Sequence, residues 1–277
     1  MTKLPFIMKP QFTALTLLFS ALSFTPGSAQ EEVKKFSVRV LAVGEEPPMK
    51  IINNGKKRIE ADVDEDLIPP RKIAIITDAG KSEANIRLGC VSDGKVVNVS
   101  ESLGLQLFKS EEAKEGVESK GKCWVNTKLN GLGPDSLVIV FRKGLDKKWD
   151  NAQSITLNNG LEKFPMGATR ITNVSPLPVI VKVNGRKMTT LAPGRSFLAK
   201  GVKKQLPVSF YALNKSKKEV RIYQAMLNMN GARRTNMVLY GAKPRSKFKP
   251  PVAVTVIHSS APNAIEKRPK VKTVLNP

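Results

Sequence analysis

Short runs in which apolar and polar residues alternate dominate the chain. Phe36-Ser37-Val38-Arg39-Val40 alternates, as do Ile59 to Val63, Val179 to Val183 and Val252 to Ile257. A period of two puts every second side chain on one face, the pattern of a sheet with one buried and one wet side. Asn54-Gly55, Asp93-Gly94, Asn130-Gly131, Asn159-Gly160, Asn184-Gly185 and Asn230-Gly231 punctuate these runs. Asn, Asp and Gly accept the positive φ that a two-residue hairpin turn requires. Strands separated by such turns, without alternating helices, predict an all-β chain of antiparallel sandwiches. The one good helix candidate is Ser110 to Glu118, with Ser110 as a possible cap, and it reads as an insertion or a loop.

Self-similarity divides the pattern in two. Pro48–Lys57 (PMKIINNGKK) resembles Pro178–Lys187 (PVIVKVNGRK), and Ser136–Val140 (SLVIV) resembles Asn236–Tyr240 (NMVLY). After the second match, each copy has a basic loop with one aromatic, Trp149 or Phe248, and then a further strand. The reading is a tandem duplication with its boundary near Asn159–Lys163. It gives one β-sandwich over residues 30–159, with the short helical insertion, and a second over 160–259. Residues 260–277 carry three prolines and little apolar mass, and are expected to form a disordered tail.

The start of the chain changes the address. Lys3 and Lys9 precede the uncharged run Phe12–Phe24, Pro26 ends it, and Gly27-Ser28-Ala29 supplies small residues. This is the three-part pattern of a signal peptide over residues 1–29, cleaved after Ala29. No later run reaches the length of a membrane span, so the mature chain is expected to lie in the periplasm, the outer envelope or the medium. In an oxidising compartment the two cysteines, Cys90 and Cys123, favour one disulfide over two separate buried thiols.

Charge then separates the two copies. Residues 30–150 hold 21 Lys/Arg against 20 Asp/Glu, whereas residues 151–277 hold 23 against 3, and no Asp lies beyond Asp150. Self-repulsion in so basic a segment is relieved by a polyanion, which points to an anionic polysaccharide or other envelope polymer; a plain solvated basic surface is the rival reading. The candidate contacts are Arg233, Arg234, Lys243, Arg245, Lys247 and Lys249, with Phe248 able to stack on a sugar or a base. Nucleic acid is the weakest partner, because no fold motif for it is present.

The residues for most catalytic chemistry are missing. His258 is the only histidine, and with two cysteines it supplies neither a zinc set nor a blue-copper set. It ends a predicted strand, where a structural role fits better than that of a base. Asp62, Asp64, Glu65 and Asp66 form an acidic turn without the mid-loop glycine of a calcium loop, and are expected to oppose Lys56, Lys57 and Arg58. No phosphate loop or dinucleotide fingerprint occurs. No catalytic residue, metal or cofactor is assigned. Three functions stay open: a structural or adhesive protein with a basic surface, an assembly module for another envelope protein, and a polysaccharide hydrolase drawing two carboxylates from distant strands.

One segment carries a family likeness. Phe164–Gly194 runs through Asn173-Val174-Ser175-Pro176, a Val-rich strand, Asn184-Gly185 and Leu191-Ala192-Pro193-Gly194. This order resembles secreted bacterial proteins built of tandem Ig-like or cupredoxin-like β domains. The resemblance implies a β-sandwich and an envelope location, and no activity.

Overall fold

The structure, a computed structural model, describes residues 34–47, 50–54, 57–61, 64–77, 80–99, 104–110, 123–129, 132–200, 205–214, 216–228, 231, 233–244, 246 and 248–259. The expected signal peptide, the tail and the helix candidate beyond Ser110 lie outside these residues, as do Arg245 and Lys247.

The chain is almost all β. Ten strands form the first half: β1 (Lys34–Val43), β2 (Lys50–Asn54), β3 (Lys57–Ala61), β4 (Lys72–Thr77), β5 (Gly80–Asn85), β6 (Lys95–Val99), β7 (Leu105–Lys109), β8 (Val125–Thr127), β9 (Asp135–Arg142) and β10 (Ala152–Asn158). Eight form the second: β11 (Ala168–Asn173), β12 (Val179–Val183), β13 (Arg186–Leu191), β14 (Arg195–Lys200), β15 (Gln205–Leu213), β16 (Glu219–Asn228), β17 (Arg234–Gly241) and β18 (Val252–Ser259). Among the described residues the only helical turn is a 3-10 turn at Glu65–Leu67, and no helix is long and apolar enough to cross a membrane.

Each half is a pair of four-stranded sheets. The orders β10-β9-β1-β6 and β5-β4-β7-β8 in the first half match β14-β11-β17-β18 and β13-β12-β15-β16 in the second, apart from the direction in which each is read. β1 corresponds to β11, β9 to β17 and β10 to β18. The hairpin β2-β3 is a separate two-stranded sheet without a counterpart. Pairing is mostly antiparallel, but β1 runs parallel to β9 and β11 parallel to β17, against the purely antiparallel expectation.

Two further expectations change. The halves stack through their β1 and β11 sheets, so these inner sheets are covered on both sides. Val38, Val40, Val138 and Val140 point into the first sandwich core, while Leu41, Val43, Leu137 and Ile139 meet Val174 and Val238 at the junction. β9 and β17 are therefore buried over six consecutive residues, Asp135–Val140 and Arg234–Leu239, rather than wet on one face. The repeat also needs a new register. The match of Val138 with Val238 is one residue out of phase, because Val138 faces the first core and Val238 the junction. A one-residue slip in a strand reverses every side chain. The other match pairs unlike hairpins: β12-β13 corresponds to β4-β5, not to β2-β3.

Local chemistry explains the segment with the family likeness. Asn184 and Gly185 take φ of 51° and 75°, the pair of positive values that a tight β12-β13 hairpin demands. Asn173, fully buried, donates from Nδ2 to the carbonyls of Leu177 and Leu191 and accepts from the Ser175 amide and hydroxyl. The Asn-x-Ser-Pro and Leu-x-Pro-Gly pieces are thus two ends of one polar knot.

The cysteines are unbonded, which corrects the expected disulfide. Cys123 packs beside Ala74 and Phe108 on the outer face of the β4 sheet. Its thiol lies 3.2 Å from the Val125 carbonyl oxygen, and burial pushes its pKa up. Cys90, itself exposed, lies between Leu88 and Val91, which bridge β1 in the other layer of the sandwich.

Candidate functional site

The four described basic positions, Arg233, Arg234, Lys243 and Lys249, do not share one surface. Arg234 is 0% exposed and makes no surface contact, against the sequence expectation. It faces the junction at the polar end of the contact between the inner sheets. Its Nη1 donates to the carbonyl oxygens of Asn159 (2.6 Å) and Phe164 (3.3 Å), and its Cζ lies 4.9 Å from the Phe164 ring centroid. Arg170 approaches the same ring at 4.2 Å and donates to Asn236 Oδ1, Asn158 O and Asn159 Oδ1. Burial, and then the charge of Arg234, push the Arg170 guanidinium down to about 9. The two arginines clamp the connection between β10 and β11 onto β11 and β17. A buried guanidinium holds its place through such acceptors, not through solvent.

Arg233, Lys243 and Lys249 are exposed. Lys243 and Lys249 sit on the β17-β18 loop and line a cleft of about 540 Å³ between the halves. One wall is the β18 segment Val252–Thr255, a second is Arg221–Tyr223 of β16, and the third is Gly44–Glu46 with Leu88 and Gly89 from the first half. The Lys243 amide donates to the Glu45 carboxylate at 3.1 Å, which ties loop to wall. Behind it Arg142 donates to Glu45 O at 3.2 Å and lies over the Trp149 ring at 5.8 Å. Phe248 on the same loop is 78% exposed.

A second cleft, of about 600 Å³, is built from the equivalent pieces: β10, the β8 segment Trp124–Asn126, and Val174–Pro176 with Pro193 and Gly194 from the other half. No charged side chain lines it. Sequence reasoning missed both clefts, because each joins residues from opposite halves. The only early signal was the shared order of strand, basic loop and strand.

Three carboxylates of the first half, Glu65, Asp66 and Asp150, line a third hollow together with the buried Trp149. Asp66 pairs with Lys148 at 2.9 Å and Asp150 with Lys109 at 3.0 Å. Within the acidic turn Asp66 thus opposes Lys148; the side chains of the basic run 56–58, to which the sequence pointed, lie outside the described residues. The Lys148 hydrogen bond and charge hold the Asp66 carboxyl below its ordinary range. A glycosidic general acid needs a shift in the other direction. Among the described residues no group of three or more metal-ligating side chains is assembled. His258 lies beside Thr235, its Nδ1 3.1 Å from the hydroxyl, in a structural contact between β18 and β17.

No protein-family model matches the chain, and the comparison with curated proteins gives no match.

Proposed function

We propose that the protein is a non-enzymatic module exported to the cell envelope or beyond, whose basic second half attaches it to an anionic polymer. In this reading the two halves, 30–159 and 160–259, are Ig-like or cupredoxin-like sandwiches, the first with a short helical insertion, and residues 1–29 are removed on export. One observation carries the attachment. Phe248, Lys243 and Lys249 stand exposed on one loop of a half with 19 basic and 2 acidic residues. An exposed aromatic flanked by lysines gives a repeating anionic sugar both a stacking face and counter-charges.

Retention on immobilised heparin across a salt series tests it. Replacing Arg233, Lys243, Arg245, Lys247 and Lys249 together by Gln is expected to bring elution to markedly lower salt, because exposed charge contacts are screened. Lys143→Gln with Lys147→Gln, in the equivalent loop of the first half, is expected to leave elution unchanged. Equal elution of the fivefold variant and the parent would remove the proposal. Export is read separately, from a mature N-terminus at Gln30.

A further inference from the structure

β18 is the edge strand of the inner second sheet, and the phase of its hydrogen bonds shows what that edge offers. The Ala242 amide donates to Pro251 O at 3.1 Å, which makes residues 242 and 251 a hydrogen-bonded pair. Such pairs alternate in an antiparallel ladder. With Tyr240 opposite Ala253 and Val238 opposite Thr255, residues 253, 255 and 257 turn their amides and carbonyls toward β17. The other side of β17 agrees, because Leu239 O accepts from the Val174 amide at 2.8 Å, away from β18. The backbone groups of Val254, Val256 and His258 therefore point off the free edge, and no strand among the described residues pairs with them.

The charged cleft begins along this edge, since Val252–Thr255 form one of its walls. Its volume is in the ordinary range of a ligand pocket, and its other walls flank the open strand like the sides of a slot. An unpaired edge with walls is a template for an added strand. The side chains state which strand. Arg221, Lys243 and Lys249 line the cleft, against Glu45 and Glu46. The Glu45 carboxylate already accepts the Lys243 amide, and neither Lys243 nor Lys249 makes an ion pair among the described residues. The equivalent edge of β10 is likewise unpaired among the described residues but differs in its surroundings. There Thr127 of β8 meets Thr156 through their hydroxyls at 2.6 Å, and the cleft beside it is uncharged.

We propose that the free edge of β18 binds an extended acidic peptide as a fifth strand of its sheet. Backbone hydrogen bonds to Val254, Val256 and His258 supply the affinity, and Arg221, Lys243 and Lys249 select carboxylate side chains. This partner is a protein segment, not the polymer of the preceding reading, and either holds without the other.

Titration calorimetry of the mature chain with a capped nine-residue peptide of alternating glutamate and valine tests it. Two further versions carry N-methyl groups on the odd or on the even residues. A strand addition uses the amides of one parity only, so one version is expected to lose binding by more than about tenfold while the other keeps it. Val254→Pro removes an amide that β17 does not use, a substitution an edge strand tolerates. It is expected to lose binding by a similar factor, with an unchanged circular dichroism spectrum. Ser154→Pro, the outward position on β10, is expected to bind as the parent does. Equal binding of both methylated versions would mean charge attraction alone and would overturn the proposal. So would no binding by the unmodified peptide, or full displacement by a heparin oligosaccharide with both Pro variants unaffected.

Discussion

Two equivalent clefts flank the junction between the halves, and they differ in charge rather than in architecture. Both are built from an edge strand, a neighbouring strand of the outer sheet and a turn of the opposite half. The cleft on β18 carries Arg221, Lys243 and Lys249, while that on β10 offers Gln153, Ser154 and Asn126. A repeated strand order thus yields two clefts built from matching pieces, and their side chains give each a different chemistry. The difference extends to the adjacent loops. Residues 44–71 connect β1 to β4, but only residues 174–178 connect β11 to β12. The extra length in the first half covers Trp149: its Nε1 donates to Leu67 O and its amide to Asp66 O. The second half has no such cover, and Phe248 on the matching loop stands in solvent.

Four measurements sharpen or break this comparison. The largest effect is expected at the buried aromatic. Trp149→Ala should cost about 4 kcal/mol in denaturant unfolding, through lost burial and a cavity. Phe248→Ala should stay within about 0.5 kcal/mol, as exposed positions do; a comparable loss at both would erase the distinction between the loops. Next comes Arg234→Ala, at about 3 kcal/mol, because two carbonyls and the Phe164 ring lose a buried cation. The variant should still elute from heparin as the parent does, and a large fall in elution salt would return Arg234 to the surface.

The third effect is at a close contact between the halves. A Cβ on Gly241 would collide with the Gly144 carbonyl oxygen and crowd Pro176. Gly241→Ala is expected to cost about 2 kcal/mol by overpacking. Gly144→Ala meets no neighbour and only the strain of a φ of 59°, so about 1 kcal/mol is expected. Reversal of that order, read from chemical denaturation, would contradict the stacking. The smallest effect is electrostatic. Lys148→Gln should raise the Asp66 carboxyl to its ordinary range in an NMR titration. The depressed value stabilises the fold above the unfolded carboxylate pKa, and this contribution fades as pH falls through the folded value. Loss of the Lys148 partner should therefore weaken the protein at neutral pH and leave it unchanged in strong acid.

Much of the strand pattern was legible because alternation and Asn-Gly turns act within a few residues. Val179–Val183 and Val252–Ile257 lie within strands, and Asn184-Gly185 is the turn the pair announced. The continuous runs Ser136–Val140 and Asn236–Tyr240 matched as equivalent strands, yet their true phase was hidden. Apolar residues on both faces give no parity to read, and only the junction fixed which side each residue takes. Asn173 stood out in sequence only as part of the family likeness, and its partner Leu191 lies across a hairpin. The basic cluster failed at Arg234 for a similar reason: an arginine beside exposed Arg233 is indistinguishable in sequence from a surface residue until Phe164 is packed against it.

The amino-acid order alone determined that the chain pairs as strands and that positive charge gathers in its later half. These depend on local periodicity, turn chemistry and counting. Only tertiary structure decided that the inner sheets face each other, that two arginines lie between them, and that a charged slot opens along β18. Each joins residues more than sixty positions apart, and contacts at that range follow from how whole faces pack, which no short stretch of sequence records.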